Sequence, residues 1–115
     1  MNYLAIMNRA REAANTAGDA WMKAHTQPAY IVTDNGRPVG AMLDLCGFAY
    51  VKLTDKRNGF AKWCKANGFG DHFIHFNHKY ECRQEWGLKE ACVDAALKVL
   101  REEGITKVTM YSRVD

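Results

Sequence analysis

Residues 46–53 read CGFAYVKL, and the alternation within this stretch decides the arrangement of the rest of the chain. Small and aliphatic residues stand at positions 49, 51 and 53, whereas Phe48, Tyr50 and Lys52 stand between them. Successive side chains of a β-strand point to opposite faces of the sheet. The stretch therefore predicts a strand with one face on a hydrophobic core and with two rings and a cation on the other face.

Two long helices are expected to cover the apolar face of this strand. Residues 3–25 and 86–103 carry apolar side chains at three- and four-residue steps, which is the period of an α-helix. Gly18 lies inside the first segment, where glycine costs about 1 kcal/mol relative to alanine, so two short helices are an alternative there. A third helix of about two turns is expected after Asn58, because asparagine is a preferred N-cap.

A β-hairpin is expected upstream of the central strand. Residues 29–33 form a short β-type run, and the tight turn that follows at residues 34–36 has the sequence Asp-Asn-Gly. Asn-Gly is a strong hairpin signal because both residues tolerate a positive φ. Residues 38–54 then read as extended, and the glycines at positions 40 and 47 indicate either a bulge or two successive strands.

The order of these elements predicts an α+β fold. Residues 73–80 and 106–114 read as two further strands. We therefore expect a single domain, residues 1–115, in which helices cover one face of a mostly antiparallel sheet of about four strands, as a two-layer sandwich. The uncovered sheet face is expected to carry these residues: Phe48, Tyr50, Lys52, His75, Lys79, Tyr111 and Arg113.

The composition is that of an ordinary globular domain. The 115 residues are 48% hydrophobic and 25% charged, with a formal net charge of +3. No apolar run reaches the ~18 residues of a transmembrane helix, and the first residues lack the pattern of a secretion signal, so we expect a cytoplasmic protein without a membrane partner. The four cysteines lack Cys-x-x-Cys spacing, which favours reduced, buried thiols.

The basic excess is concentrated beside the central strand. Residues 52–65 contain five cations and a single carboxylate. Rings interleaved with cations are what single-stranded nucleic acid requires, because bases stack on rings and phosphates are held by cations. Tryptophan is also a favoured anchor of protein interfaces. In addition to the sheet face, the binding surface is expected to include Lys56, Arg57, Lys62, Trp63 and Lys65.

The histidines and cysteines give a weaker indication of an enzyme. Three imidazoles, at positions 72, 75 and 78, could bind zinc, but a straight strand turns His75 away from His72 and His78 and separates those two by about 20 Å. Neither Cys46 nor Cys92 has the local signature of a nucleophile. A small metal- or thiol-dependent enzyme is therefore the least favoured alternative, and we expect no catalytic residue and no cofactor.

Residues 46–53 also resemble the RNP1 motif of the RNA-recognition-motif family. Four positions match and Tyr50 is a close substitute, while Cys46 and Leu53 stand where the motif has a cation and an aromatic residue. The resemblance implies RNA binding on the sheet face. The fold of that family is not expected, because too few residues separate Tyr30 from Gly47 for the elements that precede RNP1 there.

A second resemblance covers about half of the chain. The segments CGFAYV at 46–51, FAKWCKANG at 60–68 and KEACVDAALKVLREEGI at 89–105, with the ending YSRVD, resemble small uncharacterised bacteriophage proteins. The resemblance implies a compact accessory protein in the host-cell cytoplasm that acts by binding. We therefore expect a non-enzymatic module that modulates or inhibits a host or defence protein by direct contact. Binding of single-stranded nucleic acid is the alternative, and the oligomeric state stays open.

Overall fold

A computed structural model describes residues 1–115, and it confirms the α+β class. Each long helix is continuous, and Asn2 caps the first one, because its side-chain oxygen accepts a hydrogen bond from the backbone N–H of Ala5 at 3.1 Å. No helix combines the length and the apolar character that crossing a bilayer requires. In chain order the elements are α1 (Tyr3–Ala24), β1 (Tyr30–Asp34), β2 (Arg37–Met42), β3 (Gly47–Leu53), α2 (Gly59–Ala66), β4 (Phe73–Ile74), a 3-10 turn (His78–Tyr80), α3 (Trp86–Glu102) and β5 (Val108–Val114).

The central sheet is antiparallel and has the strand order β4-β3-β5. Along β3, buried and half-buried residues alternate without a break, as the sequence predicts. Tyr50 stands opposite Tyr111 in this sheet, and Val51 stands opposite both Met110 and Ile74. Helices α1 and α3 pack against each other, and α3 packs against β3 and β5, so only one face of the sheet is covered.

The core lies between the helices and the sheet, and Gly18 is part of the reason why α1 fits there. A Cβ atom on Gly18 would lie 2.7 Å from Cε2 of Tyr80 and 3.0 Å from Sγ of Cys92. Glycine therefore permits a close approach and does not divide the helix in two. The largest fully buried side chains of this core are those of Met7, Val51, Cys64, Ile74, Phe76, Leu88, Cys92, Val93 and Leu100.

The hairpin β1–β2 forms a sheet of its own. Its turn has the expected positive φ values, 51° at Asn35 and 77° at Gly36. The strands are separated from the central sheet because residues 43–46 turn the chain: Asp44 accepts a hydrogen bond from the N–H of Gly87 at 2.7 Å. Every hairpin residue except Met42 is exposed, and the molecule is elongated, measuring 53 × 25 × 19 Å.

The third predicted strand is much shorter than the sequence indicates. Only Phe73 and Ile74 pair with β3, whereas residues 73–80 were expected to continue as a strand. After Ile74 the chain leaves the sheet, and two side chains of the 3-10 turn bind α1 instead: Lys79 donates to Asp19 at 2.7 Å, and the Tyr80 hydroxyl donates to the same carboxylate. The prediction that Lys79 lies on the open sheet face is therefore wrong.

Candidate functional site

Four aromatic side chains form one patch on the uncovered face of the central sheet, called here the ring face. Phe48 and Tyr50 come from β3, Phe73 from β4 and Tyr111 from β5. Ring centroids lie 5.3 Å apart for Phe48–Tyr50, 5.7 Å for Tyr50–Phe73, 5.3 Å for Phe73–Tyr111 and 5.9 Å for Phe48–Tyr111. Each ring therefore contacts two others, and the patch is a closed circuit with its outer surface open to solvent.

The strand register explains how residues distant in the sequence meet there. Tyr50 is directly opposite Tyr111, and Phe73 is opposite Lys52, so all of these side chains emerge on one face. Alternation along β3 and β5 predicts the two tyrosines on this face. The sequence analysis does not place Phe73 in the binding surface, although its spacing of two from His75 in the predicted strand indicates that it shares the face of that histidine.

The charge on this face is positive. Arg113 stands opposite Phe48, and Lys52 stands opposite Thr109 toward the other end of β3. Neither cation belongs to an ion pair, and the outward positions of the three strands carry no carboxylate. Because β-strands rise about 3.4 Å per residue, the two cations are separated by about 14 Å along the sheet, with the rings between them.

Part of the predicted basic window is neutralised by neighbouring acids. Arg57 binds Asp55 through two nitrogens, each 3.1 Å from a carboxylate oxygen, and these hydrogen bonds lower the pKa of Asp55 to about 2. Lys56 lies 3.8 Å from Asp71 and 3.2 Å from Nε2 of His72. The pairs leave less free charge beside the ring face than the sequence alone indicates.

The remaining residues of that window lie on α2. Lys62 and Lys65 are exposed and form no ion pair. Trp63 is half-buried, because its ring stacks on Phe69 at 5.1 Å and contacts Tyr3 at 5.9 Å. The two lysines are therefore available to a ligand, whereas the tryptophan fills the margin of the core.

No protein-family model matches this chain, and neither a curated protein nor a solved structure matches it. The RNP1-like segment at residues 46–53 and the resemblance to bacteriophage proteins stay predictions from the sequence. What the ring face can bind is therefore inferred from its own rings and charges.

A polar cleft of about 270 Å³ lies beside the ring face and is called here the histidine cleft. The rings of His75 and His78 are 6.4 Å apart in it. Burial lowers the pKa of His78, electrostatic repulsion from Arg11 and from the neighbouring His75 lowers it further, and Glu81 has the opposite effect. The complete lining comprises Arg11, Gly68, Phe69, His75, Asn77, His78 and Glu81.

The three histidines of the sequence motif do not meet at one point. His75 and His78 are neighbours because the chain leaves the sheet after Ile74, which a straight strand would not allow. His72 instead contacts Lys56 and the ring of Phe73. No three His, Cys, Asp or Glu side chains are arranged to hold a metal ion.

Cys64 and Cys92 are buried, whereas Cys82 is exposed, so the prediction of buried thiols is wrong for Cys82. Burial raises the pKa of Cys64 to about 12 and that of Cys92 to about 11, so both thiols are protonated at neutral pH. Cys46 is half-buried and contacts the sulfur of Met42 at 3.3 Å. Because a thiol reacts as the thiolate, Cys64 and Cys92 are poor nucleophiles here.

Proposed function

We propose that this protein is a binding module that holds single-stranded nucleic acid on the ring face. One observation supports the proposal: Phe48, Tyr50, Phe73 and Tyr111 form a continuous patch of half-buried and exposed rings on the uncovered sheet face, whose outward strand positions carry no carboxylate. Bases can stack on such rings whatever their identity, and each base that stacks contributes about 1–3 kcal/mol. Duplex bases are already stacked on one another, so the ring face favours single strands.

The flanking cations supply the second part of the interaction. Lys52 and Arg113 lie at opposite ends of the circuit and lack carboxylate partners, so phosphates can replace the water around them. Each phosphate neutralised releases a counterion, and binding therefore weakens as the salt concentration rises. With about 14 Å between the cations, the ring face accommodates a footprint of a few nucleotides.

The test is fluorescence anisotropy with a labelled single-stranded oligonucleotide at low salt. We expect Tyr50→Ala to weaken binding by about tenfold, the loss of one stacked base. Tyr30→Ala is the matched control, because Tyr30 is an exposed tyrosine on the separate hairpin. Equal losses for the two variants, or no binding of single-stranded DNA and RNA by the wild type, would refute the proposal.

A protein partner is the second candidate, and the hairpin favours it. Ile31 and Val39 are 67% and 63% exposed on a two-stranded sheet that no third strand supports. An isolated hairpin is marginally stable, so an apolar partner surface would stabilise it. Such a partner corresponds to the host or defence protein that the bacteriophage resemblance implies.

The two candidates are separated by one set of variants. Contact through the hairpin predicts a co-purifying protein that resists nuclease treatment, is lost with Ile31→Asp and is retained with Tyr50→Ala. Nucleic-acid binding through the ring face predicts that a bound oligonucleotide is lost with Tyr50→Ala and is retained with Ile31→Asp. If nuclease removes all co-purifying material, the protein candidate fails.

A further inference from the structure

We infer that the histidine cleft binds a phosphate group, and that this phosphate belongs to a nucleotide whose base contacts Tyr50. This inference deepens the proposed function and rests on it for the identity of the ligand. In this inference Arg11, His75 and His78 contact the phosphate, whereas the ring face contacts the base.

The donors in the cleft are suited to an anion. Arg11 reaches in from α1 with its guanidinium carbon 4.7 Å from the centre of the Phe69 ring, and its buried Nε has no hydrogen-bond partner. Arg11 forms no ion pair in this structure. Its planar guanidinium is the group best matched to phosphate oxygens. Asn77 and the two imidazoles add further donors to the same wall.

The cleft is continuous with the ring face through one side chain. His75 lines the cleft and also meets Tyr50 edge-on, with 4.6 Å between the ring centroids. A smaller depression of about 120 Å³, bounded by Phe48 and Tyr50, shares His75, Asn77 and Glu81 with the cleft. A phosphate in the cleft and a base on the Tyr50 side of His75 are therefore at neighbouring positions.

Glu81 is the one acidic residue of the cleft, and replacing it tests whether a phosphate binds there. Its carboxylate lies in the lining and would repel a phosphate. Replacement by glutamine keeps the size of the side chain and removes the charge. If phosphate binds here, Glu81→Gln tightens binding, which is a gain that misfolding cannot imitate.

The experiment compares adenosine 5′-monophosphate, inorganic phosphate and chloride at equal ionic strength by NMR of the His75 and His78 rings. We expect both phosphates to shift these signals, Arg11→Gln to weaken binding at least tenfold and Glu81→Gln to tighten it several-fold. Arg9→Gln is the matched control, since Arg9 lies on the same helix and pairs with Glu103. The same variants are measured with the labelled oligonucleotide.

The outcomes separate this inference from the proposed function. If the oligonucleotide binds but phosphate shifts neither histidine and Arg11→Gln equals Arg9→Gln, the inference is overturned and the proposed function stands. If the nucleotide binds in the cleft and no oligonucleotide binds, the cleft is supported with a free nucleotide as ligand, and the proposed function fails. Equal affinity for the nucleotide and inorganic phosphate, unchanged by Tyr50→Ala, overturns the assignment of the base.

Discussion

Replacing Gly47 with alanine should destabilise the protein, although alanine in place of a strand glycine ordinarily adds about 0.5–1 kcal/mol of stability. A Cβ atom on Gly47 would lie 2.5 Å from the carbonyl oxygen of Arg113 and 2.8 Å from Cδ1 of Trp86. Both distances are shorter than those that Cβ atoms show to non-bonded atoms in proteins. The first of them is to a backbone oxygen, which cannot move without a shift of the strand. β3 must therefore separate from β5 and from the start of α3 to admit the methyl group.

The size of the effect follows from these contacts. Overpacking of this kind costs about 1–3 kcal/mol. The separation also strains the hydrogen bond from the N–H of Gly47 to the carbonyl of Gln84, 3.1 Å long, which contributes about 1 kcal/mol. After the gain from reduced chain entropy is subtracted, we expect Gly47→Ala to lower the free energy of unfolding by about 2 kcal/mol.

Urea denaturation followed by tryptophan fluorescence measures this change. Gly40→Ala is the matched control: Gly40 is also a strand glycine, but a Cβ atom there would meet no atom within 4 Å. Because no atom obstructs the methyl group, we expect its free energy of unfolding to equal the wild-type value or to exceed it by up to about 1 kcal/mol. Equal urea midpoints for Gly47→Ala and the wild type would refute the close contact between β3, β5 and Trp86.

Three further predictions concern polar side chains. Asp44→Ala removes the acceptor for the backbone N–H of Gly87 in the first turn of α3 and should lower the free energy of unfolding in urea by about 1 kcal/mol. Asp44→Asn keeps an acceptor oxygen and should retain most of that stability. Arg83→Ala leaves the 3%-exposed Glu85 without its partner and should lower stability by about 1–3 kcal/mol; an unchanged urea midpoint would contradict this. Arg57→Ala should raise the pKa of Asp55 from about 2 toward 3.8, measured by carboxyl NMR, so its charge would be lost at a higher pH as acid is added.

The elements that the sequence predicts well are those with a local signal. The alternation at 48–53 indicates which face of β3 is buried, and Asn35-Gly36 marks the hairpin turn. Helix periodicity predicts the first residues of α1 and α3 correctly, at Tyr3 and Trp86. Each of these signals depends on residues a few positions apart, so no knowledge of tertiary contacts is needed.

The features that the sequence does not reveal depend on distant partners. The strand at residues 73–80 ends early, and Lys79 and Tyr80 instead bind Asp19, about sixty positions away in the chain. The histidine cleft likewise needs Arg11 from α1 beside His75 and His78. No local pattern shows these pairings, since they arise only when α1 packs against the later half of the chain.

The separation of the β1–β2 hairpin from the central sheet has a consequence for hydrogen exchange. No residue between Tyr30 and Ala41 is buried in the core, so the hairpin can open while the helices and β3 stay folded. Its amide protons should exchange through this local opening, at a rate nearly independent of low urea concentrations. Amides of β3 and α3 should exchange only through global unfolding, which would make the hairpin a separate cooperative unit of the chain.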